Sequence, residues 1–322
     1  MFLSIVIPIY KVEKYIRGTL DSIYCQNFNE SDFEVIVVND GTPDNSMEIV
    51  ETFAADHANI SIVNQENQGL SCARNSGLKI AKGDFIWFVD SDDKIVNGSL
   101  QKLKNLVSAS YETEIWCFDI TRVSEIDGIA ENEKFILGNA KFNQSCFLQK
   151  YLFGLKTHMA PAQRFLFKND FLKKNNLTFF PKIIHEDDEF MIRSVLAAKY
   201  VRYESYSPYL YLVRNGGNIM GSVTMKSLES KLKIIESWKS LAASTQVDCA
   251  GKRFVSLHIF NEMNSIVEKS HKVEGGSCLV AANKKLFSDI AFKCFGTSLF
   301  SGNFRKMMKS ILVFIKLNMR TF

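Results

Sequence analysis

Along the first hundred positions, short dense apolar runs alternate with stretches of helical spacing. FLSIVIP (2–8) is an unbroken, β-branched apolar run of strand length and predicts a buried strand. Tyr15 to Gln26 changes period, with Ile16, Leu20, Ile23 and Tyr24 on one helical face. FEVIVVND (33–40) predicts a second strand, and DNSMEIVETFAADH (44–57) a helix with Asp44 after Pro43 as its N-cap. ISIVNQ (60–65) predicts a third strand, SCARNSGLKIAKG (71–83) a helix closed by Gly83, and FIWFVD (85–90) a fourth strand. This β-α-β-α-β-α-β order predicts an α/β, Rossmann-like fold, a mostly parallel sheet with helices on both faces and right-handed crossovers.

Later in the chain the helical period dominates. Met191, Val195 and Leu196 place a helix within 183–200, and residues 226–241, 252–269 and 303–319 carry apolar residues three and four apart. A Gly/Asn cluster, RNGGNIMGS, marks a boundary near 222. A helical C-terminal region, 223–322, therefore follows a first domain, 1–222.

Composition adds limits. Of 322 residues, 46% are apolar and 23% charged, the balance of a globular chain with a sizeable core. The seven cysteines are single, with no CxxC pair, which fits a reducing cytoplasm better than a disulfide scaffold or a zinc site. The start, MFLSIVIPIY, lacks the basic flank of a signal peptide. No run of about 18 uncharged apolar residues predicts a transmembrane helix. Net charge is +4, yet the first 289 residues hold 33 basic against 35 acidic residues, a balance of −2. The basic excess lies in the tail, which argues against a nucleic-acid-binding body.

Candidate chemistry collects where open α/β sheets bind ligands, outside the carboxyl ends of the strands. Strand one ends in Pro8 and Tyr10, strand two in Asn39, Asp40 and Gly41, and strand four in Asp90, Ser91 and Asp92. Asp90, Asp92 and Asp93 repel one another unless a positive charge lies among them. A D-x-D turn offers hard oxygen ligands for Mg²⁺ or Mn²⁺, and two carboxylates leave positions for water and a nucleotide diphosphate. The plain alternative is a solvated acidic turn. An aspartyl-phosphate phosphatase also uses D-x-D, but needs Thr or Val where this chain has Lys94. A second acidic cluster, HEDDEF (185–190), opens the later helix, where the helix dipole alone favours acids.

These stretches together (SIVIPIYKVEKYIRGTLDSI, FEVIVVNDGTPDNS, NQGLSCARNSGL, GDFIWFVDSDD and HEDDEF) resemble the family 2 glycosyltransferases of GT-A fold. The likeness is close over residues 2 to about 98, looser over 160–215, and absent after about 225. It implies a nucleotide-binding half, 1–98, and an acceptor half, 99–222. Pro8, Tyr10 and Asp40 match positions that hold the base and ribose of a UDP-sugar, with Asp40 accepting a hydrogen bond from the base. Arg74 falls near the nucleotide edge, Asp90 and Ser91 near the ribose, and Asp92 at the principal ligand of Mn²⁺ or Mg²⁺, with Asp90 beside it. Asp187 matches the general base, with Glu186 and Asp188 as the alternatives in the same cluster. Arg214 matches a phosphate contact, although Leu212 and Val213 separate it from the Tyr it follows in relatives. His158 lies in a stretch that lines the acceptor side.

The resemblance implies inverting transfer of a sugar to a hydroxyl of a glycan or lipid-linked glycan, in bacterial surface-polysaccharide assembly at the cytoplasmic face of the membrane. A catalytically silent nucleotide-sugar-binding protein is the alternative from another class. A sugar nucleotidyltransferase would need a glycine-rich loop where PIYKVEKY has no glycine. In the tail, Phe304, Met307, Met308, Ile311, Leu312 and Ile315 form a stripe, with Arg305, Lys306, Lys309, Lys316 and Arg320 mostly off it. Such a helix either packs on the enzyme or lies peripherally on an anionic membrane.

Overall fold

The computed structural model describes residues 1–134, 140–143, 146–147, 161–215, 223–245 and 247–300. His158, residues 216–222 and the tail from 301 on, with its expected amphipathic helix, lie outside the described residues. The chain forms two compact units: residues 1–182 with 186–218, and residues 183–185 with the helices from Met225 on. The sequence placed that division at 222.

Twelve strands occur among the described residues of the first unit: β1 (Leu3–Ile9), β2 (Phe33–Asn39), β3 (Ile60–Asn64), β4 (Phe85–Phe88), β5 (Lys94–Ile95), β6 (Ile115–Phe118), β7 (Ile120–Ser124), β8 (Ala130–Glu133), β9 (Ala140–Asn143), β10 (Phe165–Lys168), β11 (Tyr200–Glu204) and β12 (Tyr209–Val213). The large sheet runs β3-β2-β1-β4-β10-β6-β11-β9, and a smaller one runs β5-β12-β7-β8. The first four strands are parallel, as their alternation with helices predicts. Beyond β4 the sheet is mixed, because β10 inserts antiparallel between β4 and β6.

Helices α1 (Ile16–Tyr24), α2 (Ser46–Ala54), α3 (Leu70–Ile80), α4 (Ser99–Ser108), α5 (Asn169–Lys174) and α6 (Glu186–Ala197) complete this unit. Alternation along β1 decides which face each helix covers. Ile5 and Ile7 join Ile16, Leu20 and Ile23 of α1, Val50 of α2 and Leu103 of α4 in one buried cluster, with Trp87 of β4 in it. Val6 points to the other face, toward α3, which approaches so closely that a Cβ on Gly77 would meet Val6 Cγ1 at 2.4 Å.

Two predicted helix ends differ. Asn45 rather than Asp44 precedes α2; Asp44 takes the Ser46 hydroxyl (2.6 Å) and the Ser46 N–H (3.3 Å), so it supports the first turn from one residue further out. Helix α3 stops at Ile80, and Gly83 does not close it. A Cβ on Gly83 would lie 2.4 Å from Ser4 N, so this glycine lets the chain pass against β1.

The second unit is helical: α7 (Met225–Ala243), α8 (Cys249–Lys269), α9 (Gly276–Ala282) and α10 (Lys284–Phe300). Thr224 caps α7 through the Ser227 N–H, and Asp248 caps α8 through the Gly251 N–H. Among the described residues no helix is long and apolar enough to cross a membrane.

Candidate active site

The strand order reverses between β1 and β4, and a ligand crevice is expected at such a switch point. β1 pairs with β2 as far as Ile9↔Asn39 but with β4 only as far as Val6↔Phe88. Past these ends lie Tyr10 on one side and Asp90 on the other. Tyr10 is exposed, with Lys11 Nζ 5.2 Å from its ring centroid, whereas Pro8 is buried in the strand. Beside Tyr10 an open groove of about 430 Å³ is lined by Lys11, Glu13, Lys14, Tyr15, Pro43 and Asp44.

Asp40 does not face this groove as a free acceptor. It is buried, and both oxygens are engaged: Oδ1 accepts from Gln65 Nε2 (2.7 Å) and the Gln68 N–H (2.8 Å), Oδ2 from the Gly69 N–H (2.9 Å). The carboxylate fixes the loop that leads into α3 by accepting two of its main-chain N–H groups. The resemblance expects Asp40 to accept from a base; here the same carboxylate takes these three donors, one of them on Oδ2.

Arg74, expected near the nucleotide edge, is bonded to Asp90 from within the protein. Helix α3 carries it inward until its side chain is 1% exposed. There Nη2 donates to Asp90 Oδ1 (2.9 Å), and Nη1 to Glu186 Oε1 (2.9 Å) and Asp187 Oδ1 (2.6 Å). The ring of Phe179 lies under the guanidinium at 5.2 Å. Burial alone would lower its pKa, but the three carboxylates hold it protonated. A protein cation thus separates the two acidic clusters.

In the D-x-D turn the carboxylates of Asp90, Asp92 and Asp93 have oxygens within 4.8 Å of one another. Asp90 is held by Arg74 on one oxygen and by Gln163 Nε2 on the other. Asp92 is paired with Arg214, whose guanidinium lies 4.5 Å from the Tyr15 ring centroid. Ser91 is buried, and its carbonyl accepts from Thr19 Oγ1 of α1 at 2.9 Å. Asp93 points into the protein, where Oδ2 accepts from the Tyr209 hydroxyl (2.7 Å) and Oδ1 from the Leu212 N–H (2.7 Å). The Tyr209 hydroxyl in turn accepts the Asp90 N–H (3.0 Å), so β12 fastens both ends of the turn. Burial, then the charges of Asp90 and Asp92, push Asp93 up to about 8. Burial, then Asp90, also raises Asp92, against the pull of Arg214. With Asp93 turned inward, the partly open Asp92 and Asp90 offer hard oxygens that fit a divalent cation of the Mg²⁺ or Mn²⁺ type.

The second cluster opens α6. Asp187 Oδ2 accepts the Ala162 N–H at 3.3 Å, opposite its contact with Arg74. Its side chain is 16% exposed, against 10% for Glu186. Burial raises the pKa of Asp187, with Arg74 opposing. Burial, then the neighbouring Asp187 charge, push Glu186 up to about 7. Glu189 is fully buried and tied to Arg193 at 2.7 Å, so it holds the helix rather than the site. Asp188 is half-buried in the same first turn.

Three contributors carried no assigned role in the sequence. Asp93 was visible only as a third acid, and Tyr209 only as part of a strand. Gln163 gave no signal, since a lone glutamine before an apolar run has no pattern. Asn75 pairs both its amide ends with Phe179 main chain at 2.8 Å, and Gly77 packs on β1, so both are structural.

The model of the family described as Glycosyl transferase family 2 matches residues 4–175, which include β1, β4 and the D-x-D turn. EpsJ of Bacillus subtilis (strain 168), an uncharacterized glycosyltransferase, is 32% identical over 230 residues, 69% of this chain and 64% of its own length. The poly(ribitol-phosphate) beta-glucosyltransferase of Bacillus spizizenii is 32% identical over 225 residues, 68% of this chain and 33% of its own. The chain thus spans less than two thirds of either relative. The crystal structure of S. aureus TarS 1-349 in complex with UDP-GlcNAc superposes with a TM-score of 0.73 at 19% identity, covering 96% of this chain and 90% of that one, which shows the GT-A fold. With over half its length matched by one family, and the acidic turn of that match at the switch point of its sheet, the chain belongs to glycosyl transferase family 2.

Proposed function

We propose that the protein transfers a sugar from a UDP-linked donor to a hydroxyl of a glycan or lipid-linked glycan, with inversion, in bacterial surface-polysaccharide assembly. The observation that carries this reading is the meeting of Asp90 and Asp187, 97 positions apart in sequence, on one buried guanidinium at the ligand-binding edge of the sheet. Donor charge and acceptor proton would then be handled a few ångströms apart, as displacement at an anomeric carbon requires.

Asp187 is the base. It takes the proton from the acceptor hydroxyl as that oxygen attacks, and burial, which raises its pKa, makes it a stronger base than an exposed carboxylate. Its greater exposure favours it over Glu186. Tyr10 and the groove beside it bind the nucleoside, and Asp92 with Asp90 would hold Mn²⁺ or Mg²⁺. When bound, that ion neutralises the charge of the departing diphosphate. Arg214, stacked on Tyr15 and paired with Asp92, is placed to bind a phosphate oxygen. The name of the ribitol-phosphate relative supports a hydroxyl-rich polymer as acceptor, and the UDP-GlcNAc complex of TarS supports a UDP donor. The basic residues beside the apolar stripe of the tail would keep the enzyme near a lipid-linked acceptor.

The test is turnover of a panel of nucleotide-sugars by the purified full chain with Mn²⁺. Release of UDP from at least one UDP-sugar, faster with acceptor, is expected. Binding without turnover across the panel would instead identify a silent nucleotide-sugar-binding protein.

A further inference from the structure

Four hydrogen-bonded links close a ring around the two clusters. Arg74 joins Asp90 Oδ1 (2.9 Å) to Asp187 Oδ1 (2.6 Å). On the far side, the Ala162 N–H donates to Asp187 Oδ2 (3.3 Å), and the next residue, Gln163, donates through Nε2 to Asp90 Oδ2. Each carboxylate is therefore gripped on both oxygens, once by the guanidinium and once from the 162–163 segment, by the Ala162 N–H for Asp187 and by the Gln163 side-chain amide for Asp90. Both gripping side chains are almost wholly buried, Gln163 at 1% exposure and Arg74 at 1%. Gln163 is itself pinned: its carbonyl accepts from Trp87 Nε1 (2.8 Å) on β4, the strand that delivers Asp90, and the neighbouring Arg164 donates to Glu133 Oε1 at 2.6 Å.

We propose that Arg74 and Gln163 are positioning residues that together fix the separation of the donor-side carboxylate Asp90 from the base Asp187, and that neither touches substrate. The inference rests on glycosyl transfer as the reaction. Burial argues against a nucleotide contact for Arg74, and a neutral amide on Asp90 adds orientation without adding charge. Fixed separation matters most when an acceptor hydroxyl must stand between base and anomeric carbon at near-attack distance. Water attacking the donor is small and needs less of that order.

The experiment measures transfer and acceptor-free donor hydrolysis, each with its kcat and donor KM, for wild type, Gln163→Leu and Arg74→Lys, after thermal unfolding has shown that each variant is folded. Gln163→Leu keeps the volume and removes the donor; Arg74→Lys keeps the charge but loses the fork that reaches both carboxylates. Expected is a fall in transfer kcat of about 10²-fold with donor KM within about threefold, and a fall of about tenfold in the ratio of transfer to hydrolysis. A raised donor KM with kcat kept would make these residues substrate contacts and overturn the proposal. Equal loss of transfer and hydrolysis would overturn it too, as general damage. If Arg74→Lys does not fold, Gln163→Leu decides alone. A wild type that turns over no nucleotide-sugar fails at the earlier step, glycosyl transfer, and takes the clamp with it.

Discussion

Asp40 and Asp92 are each an acid at a strand end, and their surroundings give them opposite work. Asp40 satisfies the N–H groups of Gln68 and Gly69 together with the Gln65 amide. Asp40→Ala would remove three hydrogen bonds that fix the 65–69 loop, each worth about 0.5–1.5 kcal/mol. The expected outcome is a clear loss of stability in urea unfolding before any donor is added; unchanged stability with weakened UDP binding would return Asp40 to base recognition. Asp92 is partly open and offers its carboxylate where Asp90 also lies. UDP should bind more tightly with Mn²⁺ than with EDTA, and Asp92→Ala should remove that difference in calorimetry. Equal affinity of the wild type in both buffers would contradict the metal role. Residue types at strand ends were legible because the sheet pattern fixes where strands stop. Whether a carboxylate then turns inward or outward depends on partners far away in sequence, such as Gln65 for Asp40 and Tyr209 for Asp93, and no local pattern carries that.

Among elements, the βα alternation of residues 2–90 was legible because each run is buried on both faces or on one, and the period says which. The insertion of β10 was not, since FLFK is four residues long and lies over 70 positions from its partner β4. The pairing of β5 with β12 is hidden for the same reason. Gly83 was read as a helix terminator, but the close approach of two backbones needs it. The close packing of α3 on β1 also makes Gly77 intolerant of a side chain. An added Cβ meets Val6 Cγ1 at 2.4 Å for Gly77 and the main-chain Ser4 N at 2.4 Å for Gly83. Overpacking of this kind costs about 1–3 kcal/mol. Gly83→Ala should lose more stability than Gly77→Ala in chemical unfolding, because a strand backbone gives way less readily than a methyl group. The reverse order would mean that the 81–84 segment rearranges freely.

For the molecule as a whole, the helical region was legible as helices but not as a unit that also holds residues 183–185. In that unit His185 Nε2 lies 2.9 Å from Ser227 Oγ, facing Lys231, Glu262 and Lys269. Burial, with Lys231 next, lowers His185 from 6.5 to about 4. Between those values the unfolded chain binds the extra proton and the folded chain does not, so stability falls as pH drops from about 6.5 to about 4. Asp93 and Glu186, both raised, act with opposite sign, so the comparison of wild type with His185→Gln isolates the histidine. The variant should lose less stability than wild type across that window, and parallel curves would contradict the burial of a neutral imidazole. Glycosyl transfer itself rests on Asp187 standing across one guanidinium from the donor-side acids. The most direct measurement is acceptor-dependent transfer by wild type and Asp187→Asn, with UDP binding measured on the same samples. Loss of a general base predicts a fall of about 10²–10⁴-fold in transfer with UDP binding unchanged; transfer by Asp187→Asn near the wild-type rate would contradict it.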